Sequence, residues 1–263
     1  MAGKNNESLS HENVVFSDSE DDYEVEDKGI DLGLPLEKLN LGPKKKLLVM
    51  SLNGLLLNRI FKGKKLEIPN NRIPDGRYKN HLVFKRPFSE EFMKFCFERF
   101  EVGIWSSAME HNIDGVLNSA MGELNSKLLF VWDQRECTDS GYKSLERKVK
   151  PLFFKELKKV WENFRRGGPF SAANTLLIDD KPYKALLNPA HTAVFPESYN
   201  AVDNDDDALD PKGGLAIYLK GLADADDVQT YVKEHPFGQS AVTSSHPDWS
   251  FYSPILESLG KNL

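Results

Sequence analysis

Between Lys44 and Tyr252 the chain alternates short unbroken apolar runs with longer stretches in which apolar residues recur at helical spacing. Leu47-Leu48-Val49-Met50 comes after the basic Lys44-Lys45-Lys46, and so continuous a run predicts a strand buried on both faces. Ser89-Glu90-Glu91 predicts a helix start, with Ser89 as N-cap and two acids complementing the helix dipole. Phe92, Met93, Cys96, Phe97 and Phe100 then fall on one helical stripe. Val102-Gly103-Ile104-Trp105 predicts a second strand, with a helix after it through Val116 and Leu117. Leu128 to Trp132 predicts a third strand, Phe153 to Phe164 an amphipathic helix, and Thr175-Leu176-Leu177-Ile178 a fourth buried strand. Strands alternating with helices imply right-handed crossovers and a parallel sheet, so the fold class is α/β. Sites in such sheets lie beyond the carboxyl ends of the strands.

The residues directly after each apolar run therefore carry the functional question. Ser51-Leu52-Asn53-Gly54 stands after the first strand, Ser106-Ser107 after the second, and Asp179-Asp180-Lys181-Pro182 after the fourth. Lys155 falls one turn into the helix expected from Phe153. Strand-end carboxylates suit a hard divalent cation such as Mg²⁺, while a hydroxyl and an ammonium suit phosphoryl oxygens. Each residue alone has a bland reading as a helix cap or a solvated side chain, and their order and placement carry the functional one. The six histidines offer no paired metal spacing. His111 and His191 are isolated, and His81 reads as a solvated loop residue.

Charge divides the chain. Residues 1–40 hold 11 acids against three bases and read as a disordered tail. Within that tail, Ser17-Asp18-Ser19-Glu20-Asp21-Asp22 is a context that acidophilic kinases favour. Residues 43–88 hold 12 bases against two acids. Residues 41–255 read as one domain and 256–263 as a short tail, with an acidic surface loop from Asp203 to Asp210. No apolar run approaches the roughly 20 residues needed to cross a bilayer. With no presequence and two unpaired cysteines, Cys96 and Cys137, a nuclear or cytoplasmic location is expected over a mitochondrial one.

The strand-end residues, in this order, resemble the haloacid dehalogenase superfamily. More narrowly, they look like its branch of phosphoserine phosphatases acting on the C-terminal repeat domain of RNA polymerase II. The resemblance rests on Val102 to Ser107, Phe130-Val131-Trp132-Asp133-Gln134, Phe154 to Trp161 and Leu177 to Pro182. Pro236-Phe237-Gly238-Gln239 and Trp249-Ser250-Phe251-Tyr252 look like plant members. It implies a Rossmannoid three-layer sandwich with a central parallel sheet and a small flap. By resemblance, Ser106 is the phosphate-binding hydroxyl, Lys155 neutralises the transferring phosphoryl, and Asp180 ligates Mg²⁺ while Asp179 holds the lysine and supports the metal shell. Arg135-Glu136-Cys137 falls where the family places an insertion that helps grip the peptide.

The first strand departs from that pattern. The family ends it in aspartate, one residue, aspartate, the first attacking phosphorus and ligating metal, the second acting as acid and base. Here those positions are Ser51 and Asn53. A serine needs a neighbouring base to become a nucleophile, and an amide cannot shuttle a proton. Mg²⁺ would bind more weakly, with the Asn53 backbone carbonyl still available to it. The expectation is an impaired phosphatase that binds a phosphorylated acidic peptide, through a basic rim of Arg59, Lys62, Arg77, Arg86 and Arg135. The alternatives are a low-activity Mg²⁺-dependent protein serine phosphatase and, less favoured, a scaffold of the mitochondrial import type. Nucleic acid is disfavoured, since no binding motif appears and Phe61 and Tyr78 are sparse as stacking platforms.

Overall fold

Strand β1 (Leu47–Met50) lies at the centre of a five-stranded sheet, and all four of its residues are buried. The computed structural model describes residues 45–164, 170–203 and 205–260, so the acidic tail and its serines lie outside the described residues. After β1 come β2 (Leu57–Phe61), β3 (Gly76–Tyr78) and β4 (His81–Lys85), which pair antiparallel as a separate flap in the order β2-β4-β3. Helix α1 (Ser89–Arg99), β5 (Glu101–Trp105), α2 (Asp114–Met121) and β6 (Phe130–Trp132) are next. Strands β7 (Thr138–Lys143) and β8 (Pro151–Phe154) then form an antiparallel hairpin. The chain ends with α3 (Leu157–Asn163), β9 (Thr175–Ile178), β10 (Ala193–Val194), α4 (Gly214–Asp224), α5 (Val228–Glu234) and α6 (Trp249–Ser258). The large sheet runs β10-β9-β1-β5-β6, with every pairing parallel.

The period-two alternation of a strand sends β1 into two cores at once. Leu48 and Met50 pack with Phe92 and Cys96 of α1, Leu117 of α2 and Leu219 of α4. Leu47 and Val49 pack on the other face with Leu157 and Val160 of α3. This is the expected three-layer sandwich. Gly103, inside β5, lacks a side chain for a packing reason: a β-carbon there would lie 2.3 Å from the Phe130 ring.

Three local expectations are corrected. The span from Phe153 is not one helix. Phe153 and Phe154 belong to β8, paired with Asp139 and Thr138, and the helix begins only at Leu157. The apolar spacing of that stretch fits a helix, but pairing with a remote strand overrides local periodicity. Ser89 is the first helical residue, not the cap. Phe88 holds the cap position in the left-handed region (φ 61°), and the Ser89 hydroxyl is buried without a hydrogen-bond partner among the described residues. A tail beginning at 256 would start inside α6, where Ile255 and Leu256 are both buried.

Candidate functional site

Parallel register fixes which residues meet at the strand ends. Met50 is level with Ile104 of β5 and Ile178 of β9, so the chain leaves three adjacent strands at nearly one height. The Ser51 amide continues the ladder to the Ile178 carbonyl at 2.9 Å, and the Ser106 amide bonds the Trp132 carbonyl at 2.8 Å. Ser51, Asn53, Ser106 and Asp180 thereby line one cavity of about 330 Å³. Gly54 is required beside Asp180. It has φ +88°, and a β-carbon on it would lie 2.2 Å from Asp180 Oδ2.

Beneath the cavity sits a buried ionic cluster. Lys155 Nζ is 2.5 Å from Asp179 Oδ2, and Lys184 Nζ is 3.1 Å from Asp179 Oδ1. Burial pushes the Asp179 carboxyl up, but the two ammoniums outweigh it and hold the group well below the ordinary range. Burial lowers Lys155, with Asp179 opposing in part, whereas for Lys184 the attraction of Asp179 and Asp180 outweighs burial and raises it. The Asp180 carboxyl is pushed up by burial against the pull of Lys184. Ser198 donates to Asp180 Oδ2 at 2.7 Å, while Oδ1 is buried with no partner among the described residues.

The two residues at the first strand's end are engaged with the backbone. The Ser51 hydroxyl is 2% exposed and donates to the Asn53 carbonyl at 3.4 Å. The Asn53 side-chain carbonyl accepts the Arg59 amide at 2.8 Å, which ties the turn to β2. Ser106 Oγ accepts the Ala108 amide at 3.2 Å.

Lys155 differs from expectation in place. It lies between β8 and α3, is fully buried, and is absent from the cavity wall; Lys184, from the helical turn Pro182–Ala185, is the buried lysine that lines it. Nothing in the sequence beyond its nearness to Asp179-Asp180 marks Lys184. Of the expected rim, Arg59 lines the cavity. Arg86 does not: it is 2% exposed and binds Asp206 bidentately at 2.7 and 2.8 Å. That pair also corrects the reading of Asp203 to Asp210 as a purely surface loop. Lys62 bonds the Lys79 carbonyl, Arg77 points out from β3, and Arg135 is tied to Asp133 and Glu110, so these three lie outside the cavity lining. His81 sits on β4 and lines the cavity, where a solvated loop was expected. The β7–β8 hairpin contributes through its turn, Arg147 and Lys150, rather than through Arg135.

Mg²⁺ needs hard oxygen ligands, usually one or two carboxylates together with substrate phosphate and water. Here the oxygens are Asp180 Oδ1, the Asn53 carbonyl and the Ser51 hydroxyl, one of them anionic, and the Lys184 ammonium lines the same cavity. No group of three or more His, Cys, Asp or Glu that could hold a metal occurs among the described residues. With one carboxylate and an ammonium beside it, this donor set would hold Mg²⁺ only weakly.

The fold and strand-end constellation define a phosphatase-type α/β domain of the haloacid dehalogenase kind. Residues 46–229 match the NLI interacting factor-like phosphatase family, more than half of the 263 residues, and the chain belongs to that family. It is 29% identical over 228 residues to an uncharacterized FCP1 homology domain-containing protein of Schizosaccharomyces pombe, covering 82% of this chain and 87% of that one. Among solved structures it is similar to Fcp1, an essential RNA polymerase II CTD phosphatase, at 13% identity and a TM-score of 0.41. It is also similar to an arginine-to-alanine variant of the fission yeast Fcp1 bound to beryllium fluoride, at 12% identity and a TM-score of 0.36. Each likeness covers 84% of this chain but 64% of the solved one, and the TM-scores are too low to transfer a site. These relatives give no support to an import scaffold. No helix among the described residues is long and apolar enough to cross a membrane.

Proposed function

We propose that this domain is a pseudophosphatase, which binds phosphorylated protein segments and hydrolyses them little or not at all. The observation that carries this reading is the state of Ser51. Its hydroxyl is buried, hydrogen-bonds a backbone carbonyl, and makes no hydrogen bond to a carboxylate or histidine among the described residues. His81 lines the cavity without bonding it. A serine without a base is a poor nucleophile, and loss of a nucleophile or its base costs about four to six orders of magnitude in rate. The groups that suit phosphate oxygens persist in the same cavity: Ser106, Lys184 and Arg59. Because the charge facing the ligand comes from fixed ammonium and guanidinium groups, binding does not require Mg²⁺. The two free, buried cysteines suit a reducing compartment, nucleus or cytoplasm.

Titration of a fluorescent phosphoserine peptide with Mg²⁺ or with a chelator tests this reading. Equal affinity in both, within about twofold, and no phosphate release are expected. Ser106→Ala and Arg59→Gln should each weaken binding about ten- to a hundredfold, the worth of one charge-assisted hydrogen bond. Binding that appears only with Mg²⁺ contradicts the account.

A further inference from the structure

Six cationic side chains among the described residues line the cavity, and they are not equally engaged. Lys64 pairs with Glu67, and Lys181 with Glu146 at 2.8 Å. Lys184 sits on Asp179, and Arg59 reaches the Asn112 carbonyl at 3.4 Å. Arg147 and Lys150, on the turn of the β7–β8 hairpin, make no ion pair among the described residues. Both face a cavity whose phosphate end is already furnished by Ser106, Arg59 and Lys184.

This turn is held in shape. The Ser144 amide bonds the Lys150 carbonyl at 2.8 Å, and the Lys150 amide bonds the Arg147 carbonyl at 2.9 Å. The buried Ser144 hydroxyl donates to the Arg147 carbonyl and accepts the Arg147 amide, each at 3.2 Å. Four hydrogen bonds fix the backbone that carries the two cations before any ligand arrives, which leaves only their side chains to be ordered on binding. Lys150 is half-buried, and burial pushes its ammonium down, with Lys184 adding to the effect and Asp180 and Glu146 offsetting it in part. An anion beside it would favour the charged form.

We infer that the hairpin turn is a second anion subsite, with Arg147 and Lys150 receiving a second phosphate or carboxylate on the same ligand. The partner segment is then doubly anionic: a phosphoserine with a second phosphoserine or an acidic residue close by. This rests on the pseudophosphatase reading and adds the chemistry of the partner to it. Electrostatic matching of this kind raises both affinity and discrimination against singly charged segments.

The test uses the full chain and one peptide framework in four forms: a single phosphoserine, and that phosphoserine with a second phosphoserine one, two or three residues away. Affinities are read by fluorescence anisotropy against wild type and Arg147→Gln/Lys150→Gln. In wild type at least one doubly phosphorylated spacing should bind about tenfold tighter than the single form. The double variant, with an unchanged thermal melt, should lose that gain and keep the singly phosphorylated affinity. Equal affinity of all four peptides in wild type overturns the second subsite while the pseudophosphatase reading stands. A gain that survives in the variant also overturns it. Failure of every peptide to bind overturns both.

Discussion

Asp179 and Asp180 are consecutive carboxylates under opposite fields. Two ammoniums hold Asp179 far below its ordinary value, whereas burial lifts Asp180 above it. A lowered folded pKa means that ionised Asp179 contributes stability above the ordinary carboxylate range, lost only as pH falls through its folded value. A raised folded pKa means that ionised Asp180 costs stability at neutral pH, a cost that fades as pH falls through its folded value. Asp180→Asn should therefore raise Tm at pH 7 by about 2 °C, with the gain shrinking in acid. Asp179→Asn should lower stability by about 3 kcal/mol or more, since it leaves the Lys155 ammonium buried without its anion and Lys184 with Asp180 alone. Thermal melts of both variants from pH 4 to 8 check the pair, and matching shifts would contradict it. The residue types at these positions are readable from the sequence. Their opposite states are not, because nearness in sequence alone does not tell which of the two carboxylates Lys184 sits on.

At the scale of elements, the continuous apolar runs identify β1, β5 and β9 because strands buried on both faces need no alternation. The segment from Phe153 reads wrongly as helix because Phe153, Leu157, Val160 and Phe164 satisfy helical spacing, while the partner that makes Phe153 a strand residue is Asp139. Arg86 shows the same dependence on a long-range contact. It comes directly after β4 within the basic stretch, yet it is sealed against Asp206 and over the Tyr199 ring at 5.4 Å. Arg86→Ala should cost about 3–5 kcal/mol by leaving Asp206 partly buried and unpaired. Denaturant unfolding measures the loss. If Arg86→Ala instead left stability intact and weakened phosphopeptide binding, it would belong to the rim after all.

For the folded domain, the excess of positive charge in residues 43–88 points to a basic surface over a phosphate site. The count is right and its placement only partly so. Arg86 is consumed internally, and Arg72 is bound to Asp75 and the Lys85 carbonyl. Four of the six cavity cations, Arg147, Lys150, Lys181 and Lys184, come from beyond that stretch. The contrast between the first strand's end and the rest of the site is legible in the sequence, and the geometry deepens it. Ser51 and Asn53 face the cavity where two carboxylates would stand, while the cations and Ser106 line the same cavity. Restoring the carboxylates tests that contrast most directly. Phosphate release from a small aryl phosphate in the presence of Mg²⁺ should be undetectable for wild type and appear in Ser51→Asp/Asn53→Asp. Robust wild-type turnover that disappears in Asp180→Asn would contradict the account.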